Sequence, residues 1–169
     1  MDLNAFTQDL HTNSDKLINL LASIDENKLI EKQGEQWSIL DIAEHIYLSD
    51  KTFIRVISQT VEKHHDSEEL KGSHKIQRLL VDMRERKATA PKFLEPKGQF
   101  FSDKDFESAF KQQRESLLEK LANGNISDFT AIIPHPFLGD LTITDWLYVI
   151  LHHTSRHIEQ IKDRLKEFN

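Results

Sequence analysis

Four long stretches of this chain repeat apolar side chains every three or four residues, the period of an α-helix with one face turned inward. The first runs from about Asn4 to Ile24 and carries Phe6, Leu10, Leu17, Leu20, Leu21 and Ile24 on one stripe. The second opens at Trp37-Ser38, carries Ile39, Ile42, Ala43, Ile46, Phe53, Ile54 and Ile57, and reaches about Val61. Ser38 followed by Asp41 reads as a capping box, a hydroxyl at the N-cap answered by an acid three residues on. The third starts near Ser102 and repeats Phe106, Phe110, Leu117 and Leu121 before Asn123-Gly124 stops it. The fourth starts at Thr142, again with an acid three residues later in Asp145, and carries Trp146, Ile150, Ile161 and Leu165 to the end of the chain. In 169 residues, this pattern predicts a single all-α domain over 1–169. Its expected form is a four-helix up-down-up-down bundle with a long crossover between helices 2 and 3. In that order the second and fourth helices run parallel.

The connections read differently. Lys63 to Phe101 is a charged excursion containing His64, His65, His74, Pro91 and Pro96, with room for a shorter helix from about His74 to Arg86. Residues 129–142, FTAIIPHPFLGDLT, look extended and turn-rich. Only five glycines and four prolines occur in the whole chain, which argues against turn-dense sandwiches and barrels. A formal net charge of −6, with no clustered Lys/Arg tract, argues against a nucleic-acid partner, and none is expected. No apolar run reaches the ~20 residues a bilayer needs, so no membrane span is expected. No basic and apolar leader opens the sequence, so the expected compartment is the cytoplasm. Cysteine is absent, which removes disulfides, thiolate-ligated metals and cysteine nucleophiles together.

The chemistry lies where polarity interrupts the apolar seam. On the fourth helix the inward stripe reads Trp146, Ile150, His153, His157, Ile161, Leu165, so two imidazoles occupy positions that the period assigns to the core. Burying an imidazole is costly unless its nitrogens find partners. A lone core histidine is most often a satisfied structural residue. Two at i and i+4 stack on one face, roughly 5–6 Å apart at Cβ, and can converge on one ion. His45, beside the stripe of the second helix, is placed to face them. Three imidazoles with open positions for a ligand make the arrangement of a catalytic metal site rather than a closed structural one. Spacing alone leaves a chance HxxxH pattern as the competing reading.

The segment Trp37-Ser38-Ile39-Leu40-Asp41-Ile42-Ala43-Glu44-His45 resembles the W-S-x-x-[ED]-x-x-x-H signature of the DinB/YfiT-like superfamily. The stretch from His135 through Gly139 and Thr142 to Trp146, followed by His153, Arg156, His157, Gln160 and Ile161, resembles its C-terminal signature. The resemblance implies a four-helix bundle, often dimeric, with a nickel- or zinc-type ion held by three histidines. Carried over position by position, the metal ligands are His45, His153 and His157; no catalytic residue is assigned.

Other residues have plainer expectations. His152 points about 100° away from His153, toward surface or interface. His135 suits shaping of its turn, and His64 and His65 suit a solvated loop. Arg156 and Gln160 fit either helix-surface contacts or support of the ligands, Asp41 fits the cap, and Trp37 and Trp146 fit burial at the helix starts. The resemblance implies enzymes that use low-molecular-weight thiols, such as bacillithiol transferases and a mycothiol-dependent maleylpyruvate isomerase. The expected function is therefore a thiol-dependent S-transferase, in which a metal-activated thiolate attacks a small electrophile. One alternative is a hydrolase using water activated by the ion. It would need a carboxylate base, yet Asp41 is tied to the cap and Glu44 sits one step off the stripe. Another is a non-catalytic metal-binding or interaction bundle. Expected partners are a small-molecule substrate, a thiol and a second copy of the chain.

Overall fold

Each long helix begins where the chain offers an acceptor for the unpaired N–H groups of a first helical turn. The computed structural model describes residues 1–84 and 89–167. In chain order these form α1 (Leu3–Ala22), α2 (Glu26–Ile30), α3 (Ile39–Ile57), α4 (Ser73–Gln77), α5 (Asp103–Ala122), β1 (Ile132–His135), β2 (Gly139–Thr142) and α6 (Ile143–Glu167). Asp2 caps α1 through the N–H groups of Asn4 and Ala5. Ser38 and Asp41 form the expected capping box of α3, and Ser102 caps α5. Thr142 and Asp145 exchange the same reciprocal pair of bonds ahead of α6. The four predicted long helices are thus present, the second ending at Ile57 rather than near Val61. The short α2, capped by Asp25, has too few residues to show a period in the sequence.

The relative direction of α3 and α6 follows from their contacts. The Arg164 guanidinium donates to the Trp37 carbonyl at 2.7 Å, His45 lies against His157 with ring centres 4.9 Å apart, and Phe53 lies against Trp146 at 5.5 Å. Rising numbers on one helix meet falling numbers on the other, so the two are antiparallel. The expected parallel pairing is corrected, and the up-down-up-down order with it. Phe6, Ile57, Leu121 and Trp146 share one apolar cluster, whereas Leu21, Ile39, Phe106 and Ile161 share another. Consequently α1 and α6 run one way and α3 and α5 the other. The physical reason is the length of residues 58–102, which lead from one end of the bundle to the other; a short turn would have forced α5 to reverse.

A two-stranded antiparallel hairpin corrects the all-α expectation: β1 pairs with β2 from Ile132↔Thr142 to His135↔Gly139. Gly139 adopts φ +72°, in the left-handed region, where a side chain would strain the turn. Within the excursion, α4 continues into a π-helical turn over Arg78–Asp82. The expected helix from His74 therefore forms at its start, and its last two residues lie outside the described ones.

Between the two apolar clusters sits a polar layer absent from the sequence expectations. Arg114, 2% exposed, donates to Asp50 Oδ2 at 3.0 Å, Asn13 Oδ1 at 2.8 Å, Ser14 Oγ at 3.0 Å and Thr154 Oγ1 at 2.7 Å. Its guanidinium also lies 4.3 Å from the centre of the Phe110 ring. One side chain thereby ties α5 to α1, α3 and α6. Asp50 is fully buried, and burial pushes its carboxyl up to about 6 against the opposing pull of Arg114.

Arg114→Met leaves Asp50 buried without its cation and is predicted to lower stability by about 3–5 kcal/mol in urea unfolding. Adding Asp50→Leu should recover at least half of that loss, because the stranded charge is then gone. If the double variant is no more stable than the single one, that account of the layer fails.

Candidate metal centre

His45 lies two turns into α3, and His153 and His157 lie one turn apart on α6. Because the helices are antiparallel, the early part of α3 meets the middle of α6, and the three rings come together. Their centres are 4.5, 4.9 and 5.3 Å apart. One ring nitrogen from each lies within 4.8 Å of the other two, a grouping able to hold a metal ion. One pair, His153 Nε2 and His157 Nε2, is hydrogen-bonded at 3.1 Å. For metal–nitrogen bonds of ~2.0–2.1 Å, two ligands on one ion lie about 2.9–3.4 Å apart, from octahedral to tetrahedral angles. The observed separation falls inside that range.

Hydrogen bonds at the far nitrogens decide which atoms face inward. His45 Nδ1 donates to the Leu94 carbonyl at 2.9 Å, since a carbonyl can only accept. His157 Nδ1 donates to Gln160 Oε1 at 2.7 Å. Both rings therefore carry their proton on Nδ1 and present an Nε2 lone pair, the pattern that supporting groups impose on metal-bound histidines. His153 Nδ1 is buried without a hydrogen-bond partner among the described residues. Burial holds all three rings below the ordinary histidine value: His157 at about 3, His153 well below and His45 below. Charge on neighbouring rings adds to the effect at His153 and His157. At neutral pH the three are uncharged and can donate without first losing a proton. The donor set fits a divalent ion, with the tautomer fixed at His45 and His157 and left open at His153.

Apolar rings surround the cage. Trp37 lies 5.1 Å from His45 and Phe53 lies 5.5 Å from His153, centre to centre. His45 and His157 are buried, while His153 is only partly so and keeps solvent contact on its side.

The carboxylates of the two signature segments have structural roles. Glu44, expected off the stripe, is 2% exposed. It accepts from the backbone N–H groups of Lys97, Gly98 and Gln99 at 2.6, 2.9 and 3.1 Å. Together with the bond from His45 to Leu94, this fastens residues 94–99 across the cage. Asp145 accepts from the N–H groups of Leu70, Lys71 and Gly72 besides capping α6. Asp41 serves its cap and pairs with Lys32 at 2.8 Å.

Gln160 supports His157, whereas Arg156 donates to the carbonyls of Leu80 and Arg84 at 2.8 and 2.9 Å and holds the excursion. Trp146 is buried and donates to the Ile133 carbonyl. His152 points away from the cage to Ser73 Oγ, and His64 pairs with Asp128. The role of Leu94 was not visible in sequence, because a backbone carbonyl carries no residue-type signal. Glu44 gave no such signal either: one residue before a ligand it lies about 100° round the helix, and the 97–99 segment is what buries it.

Comparison with known proteins places this geometry among relatives. The sequence profile of the DinB superfamily matches residues 9–161. Over 146 residues the chain is 30% identical to the uncharacterized protein YuaE of Bacillus subtilis (strain 168), covering 86% of this chain and 88% of that one. The crystal structure of TT2238, a four-helix bundle protein, aligns with a TM-score of 0.60 at 20% identity, covering 95% of this chain and 98% of that one. Among the described residues no helix is long and apolar enough to cross a membrane.

The neutral rings make a pH prediction for chelator-treated protein. An unfolded chain protonates these histidines from about pH 6.5 downward, while in the folded chain His45 resists below that and His153 and His157 resist until much lower pH. Stability should therefore fall on acidification below pH 6.5, by up to about 1.4 kcal/mol per pH unit for each ring that stays neutral. Asp50, held near 6, acts in the opposite sense between about pH 4 and 6, with one proton against those of His153 and His157. A urea midpoint that holds steady from pH 7.5 to 5 would contradict the reading.

Proposed function

The chain belongs to the DinB superfamily, and from that membership and the three-imidazole cage we propose a divalent-metal enzyme that transfers a low-molecular-weight thiol to a small electrophile. The observation that carries the proposal is the convergence of three uncharged rings, two of which have their far nitrogens already committed, at Leu94 and Gln160. Such a set binds a nickel- or zinc-type ion through His45, His153 and His157 and leaves positions open. When bound, the ion supplies a Lewis acid that lowers the pKa of a thiol brought into the site.

The protein's own residues do the rest. Trp37 and Phe53 keep the rings in an apolar surround, which strengthens electrostatic effects there. Gln160 and the Leu94 carbonyl fix two tautomers. Glu44 keeps the 94–99 segment closed over His45. Thiol transfer is favoured over hydrolysis because the nearby carboxylates are consumed: Glu44 by three backbone N–H groups, Asp41 and Asp145 by helix caps. A hydrolase would need one of them free to take a proton from water.

Purified protein is predicted to bind one nickel or zinc ion per chain. His153→Ala should abolish that binding while leaving the far-ultraviolet helical signal intact, and Gln160→Ala should weaken it by about 10–100-fold. Metal-loaded protein should consume an alkyl halide or epoxide only when a thiol is added, and should be inert toward esters and amides. Ester or amide turnover without thiol would favour the hydrolase instead.

A further inference from the structure

The outward nitrogen of His153 leaves its tautomer open, and the inward side closes the question for the ion-free protein. His157 keeps its proton on Nδ1, where Gln160 accepts it, so its Nε2 has only a lone pair to offer. The 3.1 Å bond between the two Nε2 atoms therefore runs from His153 to His157. Without an ion, a neutral His153 holds its proton on Nε2 and a lone pair on Nδ1. Binding an ion through Nε2 requires the reverse. His45 and His157 are already in the binding tautomer; His153 has to change.

His153 Nδ1 is buried and has no partner among the described residues. The side chain that faces this ring is Ser49. The His153 ring lies 5.3 Å from the ring of His45 and 5.5 Å from that of Phe53, centre to centre. His45 and Phe53 are eight residues apart on α3, a rise of about 12 Å. One ring in contact with both lies between them along the helix. Ser49 is four residues from each, midway in height and midway in angle around α3, so its side chain faces the ring of His153. Ser49 is fully buried, and its hydroxyl also has no partner among the described residues. Ser14, Thr52, Ser58 and Ser155 bond back to the carbonyl four residues before them, at 2.7–3.0 Å. Ser49 makes no such bond, which leaves its hydroxyl available across the α3–α6 seam.

A hydroxyl suits this position for a chemical reason. By turning about one bond it can donate to a lone pair or accept from an N–H. A carbonyl, as at His45, could serve only a protonated Nδ1. We infer that Ser49 is a positioning residue for His153: its hydroxyl donates to Nδ1 in the ion-free protein and accepts from Nδ1–H when Nε2 holds a metal ion. The ring then changes tautomer without leaving a buried polar group unpaired. The inference rests on the metal-site reading and adds the residue that makes the third ligand ready for the ion.

Long-range proton–nitrogen NMR spectra of the histidine rings read the tautomers directly, in chelator-treated and in zinc-loaded protein. His45 and His157 should carry the proton on Nδ1 in both states. His153 should carry it on Nε2 without zinc and on Nδ1 with zinc. Ser49→Ala removes the hydroxyl, adds no bulk and installs the best helix former, so the variant is expected to fold. Its zinc affinity in chelator competition should fall about tenfold, while Thr52→Ala, which removes a hydroxyl elsewhere on α3, should stay within about twofold. In ion-free Ser49→Ala the Nδ1 nitrogen of His153 should shift downfield, toward a lone pair without a donor, which a packing role would not cause. A proton already on His153 Nδ1 in the ion-free parent, a zinc affinity unchanged by Ser49→Ala, or an unshifted Nδ1 signal in that variant would each overturn the inference while leaving the metal site standing. Failure of the parent to bind zinc through its histidines would instead remove the metal-site reading, and this inference with it.

Discussion

Three uncharged imidazoles set side by side in an apolar seam impose a condition that much of this structure meets. An inward Nε2 lone pair requires the ring proton to sit on Nδ1. Two of the three rings have an outward acceptor that holds it there, while His153 Nδ1 has none among the described residues. His45 meets the condition through the Leu94 carbonyl and His157 through Gln160. The acceptor for His45 comes from the excursion, not from the bundle. That explains why Glu44, one residue before His45, is buried and devoted to three backbone N–H groups of the same segment. A ligand and its neighbour hold the chain that in turn orients the ligand.

The same device recurs at the other signature. Asp145 caps α6 and also gathers the N–H groups of residues 70–72, while Arg156 takes the carbonyls of Leu80 and Arg84. Polar residues close to the metal ligands thus fasten the long connection at several points. Deeper in the bundle, Arg114 does for the helices what these residues do for the connection. It reaches Asp50, Asn13, Ser14 and Thr154 from one buried position and sets the spacing of all four long helices beside the cage.

Much of this was legible in the sequence, and the exceptions are instructive. The long helices and their caps at Ser38, Ser102 and Thr142 follow from period and capping chemistry, which act locally. The convergence of His45, His153 and His157 was expected, but on the premise of parallel helices. Contacts from Trp37–Arg164 to Phe53–Trp146 show the opposite direction. Helix direction depends on what a long connection does, and residues 63–101 carry little periodic signal. Arg114 was readable in principle, because Phe106, Phe110, Arg114, Leu117 and Leu121 form one unbroken stripe with a charge at its centre. Asp50, in the matching position on α3, completes the pair. The hairpin at 132–142 was read as extended but not as paired, since pairing depends on a partner strand rather than on local composition.

The central claim is that the three rings act as one ligand set through Nε2. X-ray absorption at the metal edge of the nickel- or zinc-loaded protein tests it directly. Three imidazole nitrogens at ~2.0–2.1 Å, with the characteristic outer-ring scattering of histidine, are the predicted result. Fewer than three imidazoles on the ion in the parent protein, or a spectrum unchanged by His45→Ala, would contradict it.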